Sequence, residues 1–418
     1  MQLTKNALYL FSARFINALS IMALTLIISR MLGPDIFGGY SFLNAVVMTG
    51  IVVANFGLDT LMVREVSRDH SLGNKYLVSV LGFKVISSLV VMVGLFSFFM
   101  IFLPGQAMIR LLAVFSTVIF LNSLSQSFWY YGDAFQKFRF HAGLWAFSNM
   151  MKLPMVWFFI SFTKNLSMVI YALVIAELIS LIISGLCIRI YFEVILNSFS
   201  IKFVSPLFKE AWPLAIVFIL SVLYFRVDLL MLEIIKGDKA VGIYSAAYKL
   251  IEFLSIIPGT ICVAALPGLA TDYSVNIDDF RASSFKTLAL LGGAGAVIGF
   301  IFYVFSEKII LFLYGFLFFD SIFSLRILSW VVFFLFLNGY LAYITIATNN
   351  EKAVALILLL STLLNVLFNY FLIPKYGPVG AALSTLFSEI LMLFFYGFLL
   401  LKKNIFLKPE MPLTPVKF

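Results

Sequence analysis

Five basic residues fall where a bilayer interior would leave them without water. Arg14, Lys84, Lys152, Arg226 and Lys249 each interrupt an otherwise apolar stretch of the 418-residue chain. A cation at mid-membrane costs about 2.5–3.5 kcal/mol on insertion scales, so such a group faces either a cavity or a partner. Arg14, Lys84 and Lys152 fall on the first, third and fifth apolar spans, each about eight residues from the same end. At 1.5 Å per residue that is a common depth of ~12 Å. Three cations at one depth in the first half of the chain suggest a basic chamber open to the cytoplasm. The competing reading is that the long side chains snorkel to the headgroups. Arg14 fits snorkelling least, because Asn17 extends its polar face one turn later.

Carboxylates accompany these cations. Arg226 and Glu233 are seven apart and share a helix face, while Asp228 points nearly opposite. Lys249 and Glu252, three apart, are spaced to pair. Glu177 and Glu389 fall near the middle of their spans, where each serves either a coupling-ion path or a bond to a neighbouring helix. The residues alone leave these alternatives open. Asp228, Glu177 and Glu389 are therefore candidates for coupling or structural roles.

The elements that carry these groups are transmembrane helices. The chain is 62% hydrophobic and 12% charged, about half the usual charge of a soluble domain. Its mean hydropathy is +1.07. Apolar blocks near 20 residues long predict spans at 7–31, 36–62, 76–103, 107–131, 143–163, 167–192, 212–235, 241–266, 285–306, 322–347, 352–373 and 378–401. The short apolar run from 307 to 319 suits an interfacial or re-entrant turn. Sixteen Lys and Arg fall on one set of loops and termini and eight on the other, a bias that predicts both termini in the cytoplasm. Cys187 and Cys262 fall inside apolar helices as packing or lipid-facing residues, and His70 and His141 fall in predicted loops. Neither pair suggests a metal site, and no cofactor is expected. The net charge of +9 sets orientation in such a chain and does not point to nucleic acid.

The longest loop, 193–210, mixes Phe199, Phe203, Leu207 and Phe208 with Lys202 and Lys209. It reads as an amphipathic linker on the cytoplasmic surface, and it divides two similar halves. Gly33, Gly38, Tyr40 and Ser41 recur as Gly237, Gly242, Tyr244 and Ser245, all displaced by 204 positions. Ala176-Glu177-Leu178 resembles Ser388-Glu389-Ile390. The expected architecture is all-α: about 12 transmembrane helices in two parallel six-helix lobes around a central cavity. The lobes would occupy 1–192 and 212–401, joined by a 193–211 linker and followed by a cytoplasmic tail at 402–418.

Several strings resemble the polysaccharide transporters of the multidrug/oligosaccharidyl-lipid/polysaccharide exporter superfamily. Ser29 to Phe42 reads SRMLGPDIFGGYSF and Asn55 to Arg64 reads NFGLDTLMVR. The stretch from Arg226 to Leu250 includes RVDLLML and VGIYSAAYKL, and Leu372 to Glu389 reads LIPKYGPVGAALSTLFSE. The similarity covers most of the chain with order and spacing kept. It implies a bacterial O-antigen flippase, not an enzyme, that moves undecaprenyl-pyrophosphate-linked oligosaccharide from the inner to the outer leaflet of the inner membrane. The substrate lipid would meet Arg14, Lys84 and Lys152, then Arg226 and Lys249 as the lobes close. An O-antigen polymerase and a chain-length regulator are the partners this implies. Related lipid II flippases carry two further C-terminal helices, for which the sequence to Phe418 leaves no room. The rivals are a multidrug cation antiporter, an O-antigen polymerase and a non-transporting scaffold. An antiporter needs membrane carboxylates for its cationic drugs, a polymerase a large outer loop with catalytic groups, and a scaffold no buried charge.

Overall fold

The computed structural model describes residues 2–102, 106–192 and 201–403. Its helices run α1 (Gln2–Asn55), α2 (Leu58–Arg68), α3 (Gly73–Phe102), α4 (Gln106–Ala134), α5 (Phe138–Phe162), α6 (Leu166–Phe192) and α7 (Ile201–Lys236). They continue as α8 (Asp238–Leu254), α9 (Ile256–Val275), α10 (Ile277–Val304), α11 (Ser306–Leu313), α12 (Ser321–Ala347), α13 (Glu351–Tyr376) and α14 (Pro378–Lys402). No strand occurs among the described residues. Lipid offers the backbone no hydrogen bonds, so spans must satisfy themselves, and helices do so.

Among the described residues ten stretches are long and apolar enough to cross a membrane. One of them, 14–68, holds two crossings, because α1 breaks at Gly33. The helix α5 is not among the ten, since Ser148, Asn149, Lys152 and Pro154 interrupt its apolar run. Counting both arms of α1, and α5, gives twelve crossings, and α8 with α9 forms one of them. This is a multi-pass membrane protein.

Burial departs from that of a soluble fold in two respects. On α3, Ile86, Val90, Val93 and Ile101 are 57–77% exposed at helical spacing, a face for acyl chains. Small polar residues are buried beside the hydrophobic core, among them Ser79, Ser88, Ser123, Ser127, Ser180 and Ser184. Without a hydrophobic drive between helices, close approach of small residues is what holds a bundle together. In α14, a methyl group added at Gly380 would strike the Leu372 carbonyl of α13. One added at Gly299 of α10 would come within 2.5 Å of the Ser329 carbonyl of α12.

Helices extend beyond the apolar blocks. The helix α10 begins at Ile277 rather than 285, because the Asn276 side chain caps it by accepting from the Asp278 amide at 3.0 Å. Residues 193–200 of the expected linker lie outside the described residues. From 201 onward the linker is helical and continuous with α7. Phe208 stacks on Phe56 with centroids 4.6 Å apart, and Glu210 pairs with Arg64 of α2. His141, expected in a loop, lies in the first turn of α5.

The internal repeat has a backbone counterpart. Gly33 has φ 75° and ψ 178°, and Gly237 has φ 80° and ψ −179°. Both stand immediately before a helix, in a conformation that L side chains rarely adopt. Tyr40 and Tyr244 are both buried, as are Ser41 and Ser245.

The chain forms two compact units, 1–226 and 227–418, dividing within α7. In the first, α1 packs on α5, α4 and α3, while α4 and α5 both lie against α6. In the second, α12 is the hub, contacting α10, α14, α8 and α9, and α13 packs along α14.

Candidate substrate and coupling sites

Lys84 is sealed in the first unit with no exposed surface. Its ammonium donates to both Asp59 oxygens, at 2.8 and 2.6 Å, and to the Ser123 carbonyl at 2.9 Å. Ser127, one turn after Ser123 on α4, donates to the same carboxylate at 3.0 Å. Asp59 enters from the first turn of α2, which follows the left-handed Gly57 (φ 72°). All three ammonium hydrogens are thus used, and the charge is neutralised where it sits. A pair so enclosed fixes α2, α3 and α4 to one another.

Lys152 is also paired, but less completely enclosed. Its nitrogen lies 2.5 Å from Glu177, with 13% of the lysine side chain and 2% of the glutamate side chain exposed. Lys152 also donates to Asn149 at 3.2 Å. The second Glu177 oxygen accepts from Asn122 at 3.3 Å. Asn122 accepts from Gln126 at 2.7 Å, and Gln126 accepts from Asn55 at 2.9 Å. A polar chain therefore crosses α1, α4, α6 and α5 through the membrane-embedded core of this unit. Arg14 is exposed on α1. The three expected chamber cations are thus one exposed, one paired at the edge of burial and one enclosed.

In the second unit, Asp228 is 1% exposed and bonded only by neutral groups among the described residues. One oxygen accepts from Asn369 at 2.5 Å, and the other from Tyr244 at 2.9 Å and Thr385 at 2.7 Å. Asn369 also donates to Asn365 at 2.8 Å, one turn away on α13. Among the described residues the buried Asn369 Oδ1 has no hydrogen-bond partner. A buried carboxylate held by one amide and two hydroxyls, none of them charged, is a group that can take up a proton. Lys249 pairs with Glu252 at 2.6 Å, the partnership their spacing suggested. Arg226, the last residue of the first unit, is half-buried.

Glu389 accepts from Asn338 at 2.7 Å. Glu177 and Glu389, matched by the repeat, are thus each held by an asparagine from the fourth crossing of their unit, Asn122 and Asn338. Glu177 is in addition paired with Lys152. Asp59, Asn122, Gln126, Asn365, Asn369 and Thr385 were not singled out by the sequence. Asp59 had a signal, as a carboxylate opposite Lys84 within the string NFGLDTLMVR. The neutral amides had none, because one Asn in an apolar span looks like another.

The family model described as polysaccharide biosynthesis protein matches residues 3–271, well over half of the chain. The chain belongs to this family. A second model, MatE, matches residues 213–371. Capsular polysaccharide biosynthesis protein CapF of Staphylococcus aureus is 26% identical over 409 residues, covering 94% of this chain and 98% of CapF. A Shigella flexneri protein named "Putative O-antigen transporter" is 26% identical over 415 residues, covering 92% of this chain and 94% of that relative. The solved inward closed conformation of lipid II flippase MurJ superposes with a TM-score of 0.75 at 17% identity, covering 95% of this chain and 89% of MurJ. That last likeness is one of fold. The all-helical architecture and the superfamily inferred from sequence both agree with these findings.

Proposed function

We propose that this polysaccharide biosynthesis family member is a flippase for undecaprenyl-pyrophosphate-linked O-antigen oligosaccharide, working by alternating access in the bacterial inner membrane with both termini cytoplasmic. The observation that carries the reading is the end-to-end similarity to the capsular polysaccharide and O-antigen relatives. Charged groups inside the crossings add chemical support, since a scaffold gains nothing from burying them. Arg14, exposed, and Lys152, at the edge of burial, are the cations that meet the pyrophosphate first. Arg226 and Lys249 engage later in the cycle. Lys84 acts through its pair with Asp59, which sets the helices around the site. Glu177 and Glu389 hold neighbouring helices through Asn122 and Asn338, and Asp228 is the carboxylate best furnished to take the coupling ion. An inside-negative potential favours outward transfer of the pyrophosphate by ~2.3 kcal/mol per charge per 100 mV. The polymerase and chain-length regulator would act on the product outside.

Deleting the gene should abolish O-antigen and leave lipid-linked repeat units on the cytoplasmic face, with rescue by a flippase for the same glycan. Single repeat units on lipid A in the deletion strain would mean that flipping is intact and polymerisation is what was lost. One observation favours a second reading, a multidrug cation antiporter: the MatE match spans 213–371 and includes the Asp228 carboxylate. That reading requires the deletion to raise sensitivity to cationic drugs while O-antigen stays normal.

A further inference from the structure

A cavity of about 800 Å³ opens where the α4–α5 corner meets the end of α6. Its lining includes Lys137, Arg139, Phe140, Leu144, Cys187 and Tyr191. The chemistry is graded with depth. Lys137 and Arg139 stand at the corner, whereas Leu144 is seven residues further along α5, ~10 Å deeper at 1.5 Å per residue. On the facing helix Cys187 lies one turn below the exposed Tyr191. Between these walls Gly143 leaves a lane, for a β-carbon there would meet no atom within 4 Å.

The corner is built before any ligand arrives. The Lys137 amide donates to the Gly132 carbonyl and the Gln136 amide to the Asp133 carbonyl, both at 2.9 Å. Gln136 holds a positive φ of 58°. Behind them Asp133 and His141 are buried and bonded at 2.6 Å. The Lys137 ammonium is aimed across to α6, 4.6 Å from the centroid of Phe192. Cations at the rim, aromatic rings at the interface and an apolar lane beneath match the order of headgroup phosphate, glycerol and acyl chain along a phospholipid. A soluble phosphate would find the cations but have no use for the lane.

We propose that this pocket binds an anionic phospholipid from the surrounding leaflet, its phosphate on Lys137 and Arg139 and one acyl chain along Gly143 and Leu144. The lipid joins α4 and α5 to α6, the helices that carry Asn122, Lys152 and Glu177. Occupancy therefore fixes the spacing of the Lys152–Glu177 pair from outside the bundle.

The test is native mass spectrometry of the purified full-length protein titrated with phosphatidylglycerol or phosphatidylcholine. Retention of lipid needs no transport, so its failure is separable from failure of the flippase reading. Wild type should retain phosphatidylglycerol in preference. Each basic residue near an anionic surface contributes about fivefold in affinity, so Lys137→Gln with Arg139→Gln should weaken that binding about 30-fold. Phosphatidylcholine, whose choline offsets its phosphate charge, should lose much less. Gly143→Leu keeps both charges and fills the lane, and it should lower phosphatidylglycerol retention at least several-fold. Unchanged retention in both variants would overturn the proposal. Displacement of the lipid by millimolar inorganic phosphate would also overturn it, since the site would then hold a soluble anion.

Discussion

Removing the Lys84 ammonium while keeping its bulk, as in Lys84→Met, would leave Asp59 charged and enclosed. Of the donors described above the carboxylate would keep the Ser127 hydroxyl, having lost two bonds at 2.8 and 2.6 Å. Breaking a buried pair from one side costs about 3–5 kcal/mol, because the remaining charge is stranded. For a unit of about 200 residues, each kcal/mol moves the melting temperature about 2–4 °C, so the expected loss is roughly 10 °C. The partner change restores much of it. In Lys84→Met with Asp59→Leu no charge is buried, and replacing a buried pair by apolar groups is often neutral. The assay is thermal unfolding of detergent-solubilised protein, read beside flipping normalised to membrane abundance. The single variant should lose both, and the double variant should recover the melting temperature and part of the flipping. If Lys84→Met melts like wild type and yet fails to flip, Lys84 meets the substrate and the structural role given to it here is refuted.

Exchanging the Lys152–Glu177 charges, as Lys152→Glu with Glu177→Lys, should restore the melting temperature that either single change lowers. Flipping should stay low, because the cation at the edge of burial has moved; full recovery of both would make the pair purely structural. Asp228→Asn keeps the shape and removes the charge, so melting should change little while the dependence of flipping on pH or sodium disappears. A retained ion dependence would exclude Asp228 as the coupling group. Gly380→Ala drives a methyl into the Leu372 carbonyl, and such overpacking costs about 1–3 kcal/mol. Thermal unfolding should show the loss, whereas Gly293→Ala, which meets nothing within 4 Å, should be silent.

The fold was legible because lipid imposes a simple rule. Uninterrupted apolar blocks must be helices, and that placed nearly every crossing. Helix ends were harder, since α7 and α10 run past the apolar block into stretches where capping by residues such as Asn276, not hydropathy, decides. The repeat was visible in Gly33 and Gly237 because only glycine adopts their backbone readily, so the chemistry of the turn is written in the residue type. The sites were legible only in part. Lys84, Lys152, Glu177 and Asp228 announce themselves as charges in apolar surroundings. Their partners do not: whether Lys84 faces a chamber or Asp59 depends on how α2, α3 and α4 are packed, which spacing within one helix does not encode. The amides around Glu177 and Asp228 are likewise chosen by neighbours distant in sequence.

Transport of a lipid-linked glycan can be followed with purified protein in liposomes. Undecaprenyl-pyrophosphate-linked oligosaccharide is placed in both leaflets, and a membrane-impermeant glycosidase is added outside. With active protein the enzyme should digest essentially the whole pool, since glycan from the inner leaflet keeps arriving, while Arg14→Ala vesicles should stall near half. Digestion that stops at half with wild-type protein, as in protein-free vesicles, would mean that the protein does not carry this glycan lipid across.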